Sequence, residues 1–462
     1  MFLRESLIKS LRKINSLEGC RLNKCLEDNI VSGYSYSIFF AITTFLVFWP
    51  GIYSADSFSQ ISEAVSNKYT TWHPPMMAWI MHVLYGGFGV GGILFLNQIL
   101  YWTGIWRFLV LIKMNNLILL IFIGFFPPIY TLSLHVLKDA CLIIFFLWAI
   151  NFLIAFLNRR NLTDLFLFLL FCFFCFSMRI NAFIPIFVLI FFATIYIYKS
   201  LTLKKILNAI FISLITIIAF FGFNDLFNKS IDAHISNPLP TLLLWDLAGI
   251  ANNANIKFEL PSYAKIDKSE KLDNWQKKYW PNSCNKICWG NGVNCGFSED
   301  YNSDLLKKWK DMVLKYPKDY LKHRIDIATR LYGFKKSQQY GAFQGFTTDL
   351  KKGPQFQVSY LGRKVYSQIT NIDNFLISIH LYQYLVYGLV SLIILCLSIF
   401  EIIKKNTDFI LPIMLSMAGL VNASSLFFIT VAADYRYIAF SVLTSLLSLI
   451  SYISLRKNVN KI

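Results

Sequence analysis

Residues 138–160 read KDACLIIFFLWAINFLIAFLNRR. Lys138 and Asp139 open the stretch, Arg159 and Arg160 close it, and no charged side chain lies between. An α-helix needs about 20 such residues to cross a hydrocarbon core. The same pattern recurs along the chain. It predicts ten spans, near 35–52, 89–112, 116–134, 138–157, 162–178, 181–198, 206–224, 375–400, 408–431 and 436–455. The spans at 162–178 and 181–198 abut, with one broken hairpin as the alternative reading. The expected fold class is therefore an all-α polytopic membrane protein with about ten transmembrane helices.

Composition leads to the same class. Of 462 residues, 56% are hydrophobic and only 15% charged, where a soluble chain carries roughly 25% charged residues. Mean hydropathy is +0.50. A cytosolic enzyme cannot cover its surface with so few charges, and a disordered chain would lack this much Phe, Ile and Leu. Length alone would suggest about three soluble domains, but composition overrides it. The net charge of +18 would raise nucleic-acid binding in a soluble protein. Here basic inner loops explain it, and no nucleic-acid module is present, so nucleic acid is not an expected partner.

The basic residues set the orientation. Arg4, Lys9, Arg12, Lys13, Arg21 and Lys24 precede the first span. Lys113, then Arg159 and Arg160, then Lys199, Lys204 and Lys205, then Lys404 and Lys405, then Arg456 and Lys457 fall in every second connection. The positive-inside rule places these connections, and both termini, in the cytoplasm. No cleavable signal peptide is expected, because the first apolar run starts late and lacks a small-residue cleavage pattern. Residues 2–17 put Leu3, Leu7, Leu11 and Ile14 on one helical stripe, which reads either as a helix on the inner membrane surface or as a solvated tail.

Four segments follow: 1–34, a cytoplasmic amphipathic segment; 35–224, an N-terminal transmembrane module with the outer loop 53–88; 225–374, a large, mostly helical outer domain; and 375–462, a C-terminal transmembrane module. Long domains translocate regardless of charge, so the lysines of 225–374 do not oppose the rule. Cys284, Cys288 and Cys295 cluster there. In an oxidising compartment two of the three can pair, and spacing does not say which. A zinc knuckle is the weaker reading, because no His lies at ligand spacing.

Ionisable residues at membrane depth or at its edge are functional candidates. The first outer loop carries Asp56, then His73-Pro74-Pro75, where the proline pair can start a short interfacial helix over 75–85. Burial at that depth should raise the Asp56 pKa and suit it to general-base work. Alternatively, Asp56 caps a helix over 57–66. The second outer turn holds His135, Lys138 and Asp139, with interface anchoring as the plainer reading of the last two. Arg179-Ile180-Asn181 and Asp434-Tyr435-Arg436-Tyr437 lie on the same side. Arginines there are on the wrong side to be cytoplasmic anchors and are suited to gripping phosphate.

Taken in order, Asp56, His73-Pro74-Pro75, Lys138-Asp139 and Arg179-Ile180-Asn181 resemble the GT-C superfamily of membrane glycosyltransferases. The similarity is to the branch with protein O-mannosyltransferases, lipid A aminoarabinose transferases and bacterial envelope homologues. It covers 35–200 well and the remainder loosely, although the segments 316–324 and 434–437 are also similar to recurring segments of such chains. The resemblance implies transfer of a sugar from a polyprenyl-phosphate donor on the periplasmic side of the bacterial inner membrane. Asp56 and Asp139 would be the catalytic carboxylates. Arg179, Arg436, Lys138 and His73 would meet the donor phosphate. Glu63, His135, Asn181, Asp434 and Tyr435 are candidates for acceptor or sugar contact. Partners would be the lipid-linked donor, an O-antigen-like or lipopolysaccharide glycan acceptor, and membrane lipid.

Many family members carry a paired Asp-Glu in the first loop. Here Ser57 follows Asp56, and the nearest second acid is Glu63, two helical turns on. No cofactor is required by the sequence, and a divalent metal stays open. The 43 Phe fit a groove for a polyprenyl tail and fit lipid-facing surface equally well. Leu239 through Gly249 is apolar and could rest on the membrane; Trp275, Trp280, Trp289 and Trp309 could stack on sugars or pack a core. Lys307, Lys308 and Lys310 could meet acidic saccharide or form a solvated helix face. Competing readings are an O-antigen polymerase or ligase, which would rely on outer-loop Arg and His, and a lipid-linked sugar transporter or flippase. The charges sit at span ends and no inverted repeat is visible, which weighs against transport.

Overall fold

The computed structural model describes residues 20–198, 202–265, 275–288, 293–296, 301–335 and 358–459. The stripe over 2–17, Lys199 and Trp289 lie outside the described residues.

Helices dominate, and among the described residues no strand longer than an isolated bridge occurs. In chain order they are α1 Cys20–Phe48, α2 Ala55–Ser66, α3 Pro75–Phe88, α4 Gly92–Leu111, α5 Leu117–Gly124, α6 Pro127–Ser133, α7 Lys138–Arg159, α8 Leu162–Met178, α9 Phe183–Tyr198 and α10 Leu203–Ser230. The segment expected from sequence as the outer domain, and called so below, adds α11 Leu239–Asn253, α12 Asn285–Cys288, α13 Asn302–Lys315 and α14 Pro317–Leu331. Then come α15 Tyr360–Ser378, α16 Tyr384–Ile403, α17 Ile410–Ile429 and α18 Tyr435–Val459.

The protein is an all-α polytopic membrane protein. Among the described residues, eight stretches are long and apolar enough to cross a membrane, against the ten expected from sequence. The two that differ have local causes. The stretch 116–134 is divided at Phe126, which is extended before Pro127; a residue before proline avoids the helical region, and the proline has no N–H to continue the ladder. The helix α8 is apolar but only 17 residues long. The span expected at 375–400 starts later, at Tyr384, because the chain turns at His380 with φ +65°. A helix begins at Pro75 as expected, with the proline in its first turn, but it runs on to Phe88 and forms one long apolar stretch with α4.

The central helix is α7. In its apolar window 94% of residues are buried inside the protein, against 22% for α10, which faces outward. Asp139 in the first turn and Arg159 in the last suit the helix dipole. Arg160 then takes the left-handed conformation and the Asn161 side chain accepts from the Thr163 N–H at 3.0 Å, which turns the chain tightly into antiparallel α8. Asn151, buried in the middle of α7, donates its amide N–H to the Gly104 carbonyl of α4 at 2.9 Å.

Residues 239–331 carry a second hydrophobic core, built on Leu243, Leu244, Trp245, Trp275, Leu305 and Ile327. The helix α11 is its centre, so the apolar stretch from Leu239 is a core helix and does not rest on the membrane. Trp275 is buried and donates to the Phe258 carbonyl, and Trp309 donates to Asp246; both pack the core. Lys307 and Lys310 are exposed and Lys308 pairs with Asp304 one turn away, so this face is a solvated helix surface.

Candidate functional site

The site is assembled by backbone before any side chain enters. Gly51, at φ +117°, turns the chain after α1, and a Cβ there would stand 2.7 Å from Val136. This close approach lets Ile52 pair in parallel with the segment before α7: Ile52 N–H donates to the Leu134 carbonyl at 3.1 Å, and Val136 N–H to the Ile52 carbonyl at 2.9 Å. Ser54 is the cap of α2. Its hydroxyl accepts from Ser57 N–H at 3.2 Å, and the Ser57 hydroxyl accepts from Ser54 N–H at 2.9 Å. Asp56 is thus not the cap, contrary to the plainer expectation. The capping box is complete without it, and its carboxylate is left for tertiary contact.

That contact is Arg436. Its Nη1 donates to Asp56 Oδ2 at 2.9 Å, while Nε lies 3.0 Å from Asp434 Oδ2. Asp434 also receives the Arg436 N–H at 3.2 Å, so it fixes the start of α18 and the guanidinium together. Beside this pair, Arg179 Nη1 donates to Asp139, and Arg179 Nε donates to Asn181 Oδ1 at 3.2 Å. The Tyr437 ring links the two pairs. The Arg179 guanidinium stands 4.4 Å from the ring centroid and that of Arg436 5.3 Å, within cation–π range.

Lys138 and His73 complete the cluster. Lys138 exerts its charge on Asp56, Asp139, Arg179 and Arg436 but forms no ion pair within 4.0 Å among the described residues. His73 is buried beside Asp56, Lys138 and Arg436. Burial, with Lys138 and Arg436, lowers its pKa to about 4, so the imidazole is neutral at physiological pH. For Asp56, burial pushes the carboxyl up, but Arg436, Lys138 and His73 together outweigh it and bring it down to about 2. The raised pKa expected from membrane depth is therefore not found: positive neighbours outweigh desolvation. Burial raises the Asp434 carboxyl despite Arg436.

A cavity of about 800 Å³ opens directly onto this cluster. Asp56, Ser59, Trp72, His73 and Arg436 line one side; Asn285, Asn294, Gly296, Cys288 and Cys295 of the outer domain line the other. Cys288 and Cys295 form a disulfide across seven residues, which selects one pair of the three cysteines; Cys284 is free and buried. The outer domain is held over the site by main-chain bonds: Cys284 N–H donates to the Val431 carbonyl at 3.1 Å and Ala433 N–H to the Asn282 carbonyl at 2.8 Å.

Thus Asp56, Asp139, Arg179, Arg436, Lys138, His73, Asn181 and Asp434 come together; of these, Asp56, His73 and Arg436 line the cavity and the others stand behind them. Three other candidates lie outside the cluster. Glu63 accepts from Thr70 at 2.7 Å on the far turns of α2, and burial raises its pKa. His135 is fully buried with Nδ1 2.7 Å from the Thr131 carbonyl. Tyr435 is buried and donates to the Pro128 carbonyl at 3.0 Å, so it joins α18 to α6 as a packing residue.

Sequence reasoning missed Tyr437, although it adjoins Arg436, because a ring between two guanidinium groups leaves no linear signal. It also missed a network in the outer domain centred on the fully buried Asp246, His323 and Arg324. Asp246 accepts from His323 Nε2 at 2.9 Å and from Trp309 at 2.8 Å, and lies 2.5 Å from Arg324. Tyr279 hydroxyl stands 2.8 Å from His323 Nδ1, and Arg324 donates to the Thr430 carbonyl at 3.0 Å. The available signal was Asp246 itself, one acid within the apolar run 242–250.

The donor set does not suit a divalent cation. Asp56 and Asp139 are each taken by a guanidinium, and among the described residues no group of three or more His, Cys, Asp or Glu converges to hold a metal. What the arrangement suits is an anion beside a carboxylate: a two-acid guanidinium and a neutral imidazole line the cavity next to Asp56, and the Lys138 ammonium adds positive charge from behind them. Comparison with protein-family models, with curated proteins and with solved structures finds no match to this chain.

Proposed function

We propose that the protein is an integral-membrane glycosyltransferase of the GT-C type. It moves a sugar from a polyprenyl-phosphate donor to an O-antigen-like or lipopolysaccharide glycan at the periplasmic face of the bacterial inner membrane. The observation that carries this reading is the Asp56–Arg436 pair, 2.9 Å apart, opening onto a cavity of about 800 Å³ roofed by the outer domain.

The donor's leaving group is already an anion, so its departure needs charge stabilisation and not a proton. Arg436 and Lys138 supply it, with Arg179 behind them, fixed by Asp139. As the phosphate engages Arg436, Asp56 loses its closest counter-charge and gains proton affinity. It is ionised beforehand, as a base must be. The acceptor hydroxyl gives its proton to Asp56, its oxygen bonds to the anomeric carbon, and the anomeric carbon–oxygen bond to phosphate breaks. The polyprenyl phosphate leaves with that electron pair. Neutral His73 orients the acceptor or phosphate by hydrogen bonding.

The test is transfer of a radiolabelled sugar from a synthetic polyprenyl-phosphate donor to extracted envelope glycan, in vesicles free of other transporters. Asp56→Asn should lower transfer by about 100-fold or more, the usual range for loss of a general base. A polymerase or ligase would tolerate that change, and a flippase would move the donor across the bilayer without consuming it. Either result overturns the proposal.

A further inference from the structure

At the end of the bundle opposite the acid–guanidinium cluster lies a second cavity, of about 580 Å³, that the proposed transfer does not use. Lys113 and Lys457 line it together with Asn116, Ile118, Leu119 and Phe122. We propose that this cavity is a binding site for one anionic phospholipid, with the two ammonium groups on the headgroup phosphate and the α5 face against an acyl chain.

Three observations support it. First, the two lysines are held in register. Lys113 sits in a left-handed turn at φ +62°, closed by its own N–H on the Val110 carbonyl at 3.0 Å and by Met114 N–H on the Leu109 carbonyl at 2.8 Å. A non-glycine residue in that region is uncommon, and the turn fixes where its side chain starts. The end of α18, which carries Lys457, is tied to the same turn by Ser454 Oγ donating to the Ile112 carbonyl at 2.5 Å.

Second, the charge is uncommitted. Neither lysine has an acid within 4.0 Å among the described residues. The acids nearby do not neutralise them: Glu401 is taken by Arg456 at 3.0 Å and lies 3.9 Å from Lys404, and Asp408, across the adjoining cavity that Lys113 also lines, makes no ion pair. Paired ammonium groups at the membrane edge recognise anionic headgroups.

Third, the wall beside them is apolar and outward-facing. Ile118 is 76% and Phe122 66% exposed on α5, among residues of a stretch that reads as lipid-facing. A soluble phosphate has no use for such a wall, whereas a diacyl lipid covers it.

The proposal is independent of the transferase reading, because its readout is bound lipid and not transfer. The wild-type protein, Lys113→Gln/Lys457→Gln, and a control with the same charge loss elsewhere, Lys307→Gln/Lys310→Gln, are purified from vesicles of phosphatidylethanolamine and phosphatidylglycerol and weighed by native mass spectrometry. Wild type and control should retain a phosphatidylglycerol whose occupancy falls several-fold in the lysine pair variant and is not displaced by millimolar inorganic phosphate. A second measurement needs no variant: phosphatidylglycerol should raise the wild-type unfolding temperature more than phosphatidylethanolamine does. Equal retention in all three proteins, displacement by inorganic phosphate, or no preference between the two lipids would overturn the site.

Discussion

Arg436 donates to Asp56 at 2.9 Å although 380 residues separate them. The bond closes the loop after α1 onto the start of the last helix, and it sets the state of the carboxylate. Burial pushes Asp56 up, and Arg436, Lys138 and His73 outweigh it to leave the carboxyl at about 2. Its folded pKa is depressed, so the ionised form persists as pH falls until that value is approached. In the transfer assay, kcat/KM reports the free enzyme. It should show no acid limb from Asp56 anywhere between about pH 4 and about pH 8. An acid limb in that window that disappears in Asp56→Asn would show that the cations around Asp56 do not hold it ionised.

The pair Arg179–Asp139 predicts an asymmetric stability pattern. The Asp139 side chain is 2% exposed and that of Arg179 17%. Arg179→Gln leaves a buried carboxylate without its cation and should destabilise the detergent-solubilised protein by about 3–5 kcal/mol. Adding Asp139→Asn should restore much of that loss, because two neutral amides need less solvation than one orphaned charge. Thermal unfolding of the single and double variants checks this, and a double variant no better than Arg179→Gln contradicts it.

Non-reducing peptide mapping should recover Cys288 linked to Cys295, with Cys284 alkylated only after unfolding. A bridge across so short a loop stabilises by about 2–3 kcal/mol in the chain-entropy account. Cys288→Ser/Cys295→Ser should therefore lower the unfolding temperature of the outer domain. A map with Cys284 in the bridge would contradict the arrangement over the cavity.

The buried network of the outer domain should be acid-labile. Burial pushes the His323 pKa down, and for Asp246 burial is outweighed by Arg324 and His323, which draw the carboxyl down. Both folded pKa values are depressed, so in each case the unfolded chain takes up a proton first as pH falls. Stability is full above the ordinary His pKa of about 6.5, declines below it as unfolded-state His323 protonates, and declines again below about 4 for Asp246. Tryptophan fluorescence of denaturant unfolding at stepped pH measures the slope. His323→Gln should flatten the upper part of it, and an unchanged slope there would remove His323 from the explanation.

Much was legible without coordinates. The spans follow from unbroken apolar length, and both departures in their number trace to local features, Phe126-Pro127 and the shortness of α8. The site was legible as a set of span-end residues because ionisable groups at that depth are too costly to be scattered without a partner. What misled was treating each residue against membrane depth alone. Asp56 was expected to be raised or to cap a helix; it does neither, because Ser54 caps and Arg436 counters desolvation. Glu63 and Tyr435 looked equivalent to their neighbours in sequence, and only their partners, Thr70 and Pro128, show that they are spent elsewhere.

Sequence by itself determined that this chain is a helical membrane bundle, because hydrophobic length and the placement of charge act locally and are read one segment at a time. Tertiary structure alone decided which acid meets which guanidinium, that Tyr437 lies between Arg179 and Arg436, and which two cysteines join. Those outcomes depend on distances between segments hundreds of residues apart, and such distances are set by packing of the whole bundle, not by any stretch of it.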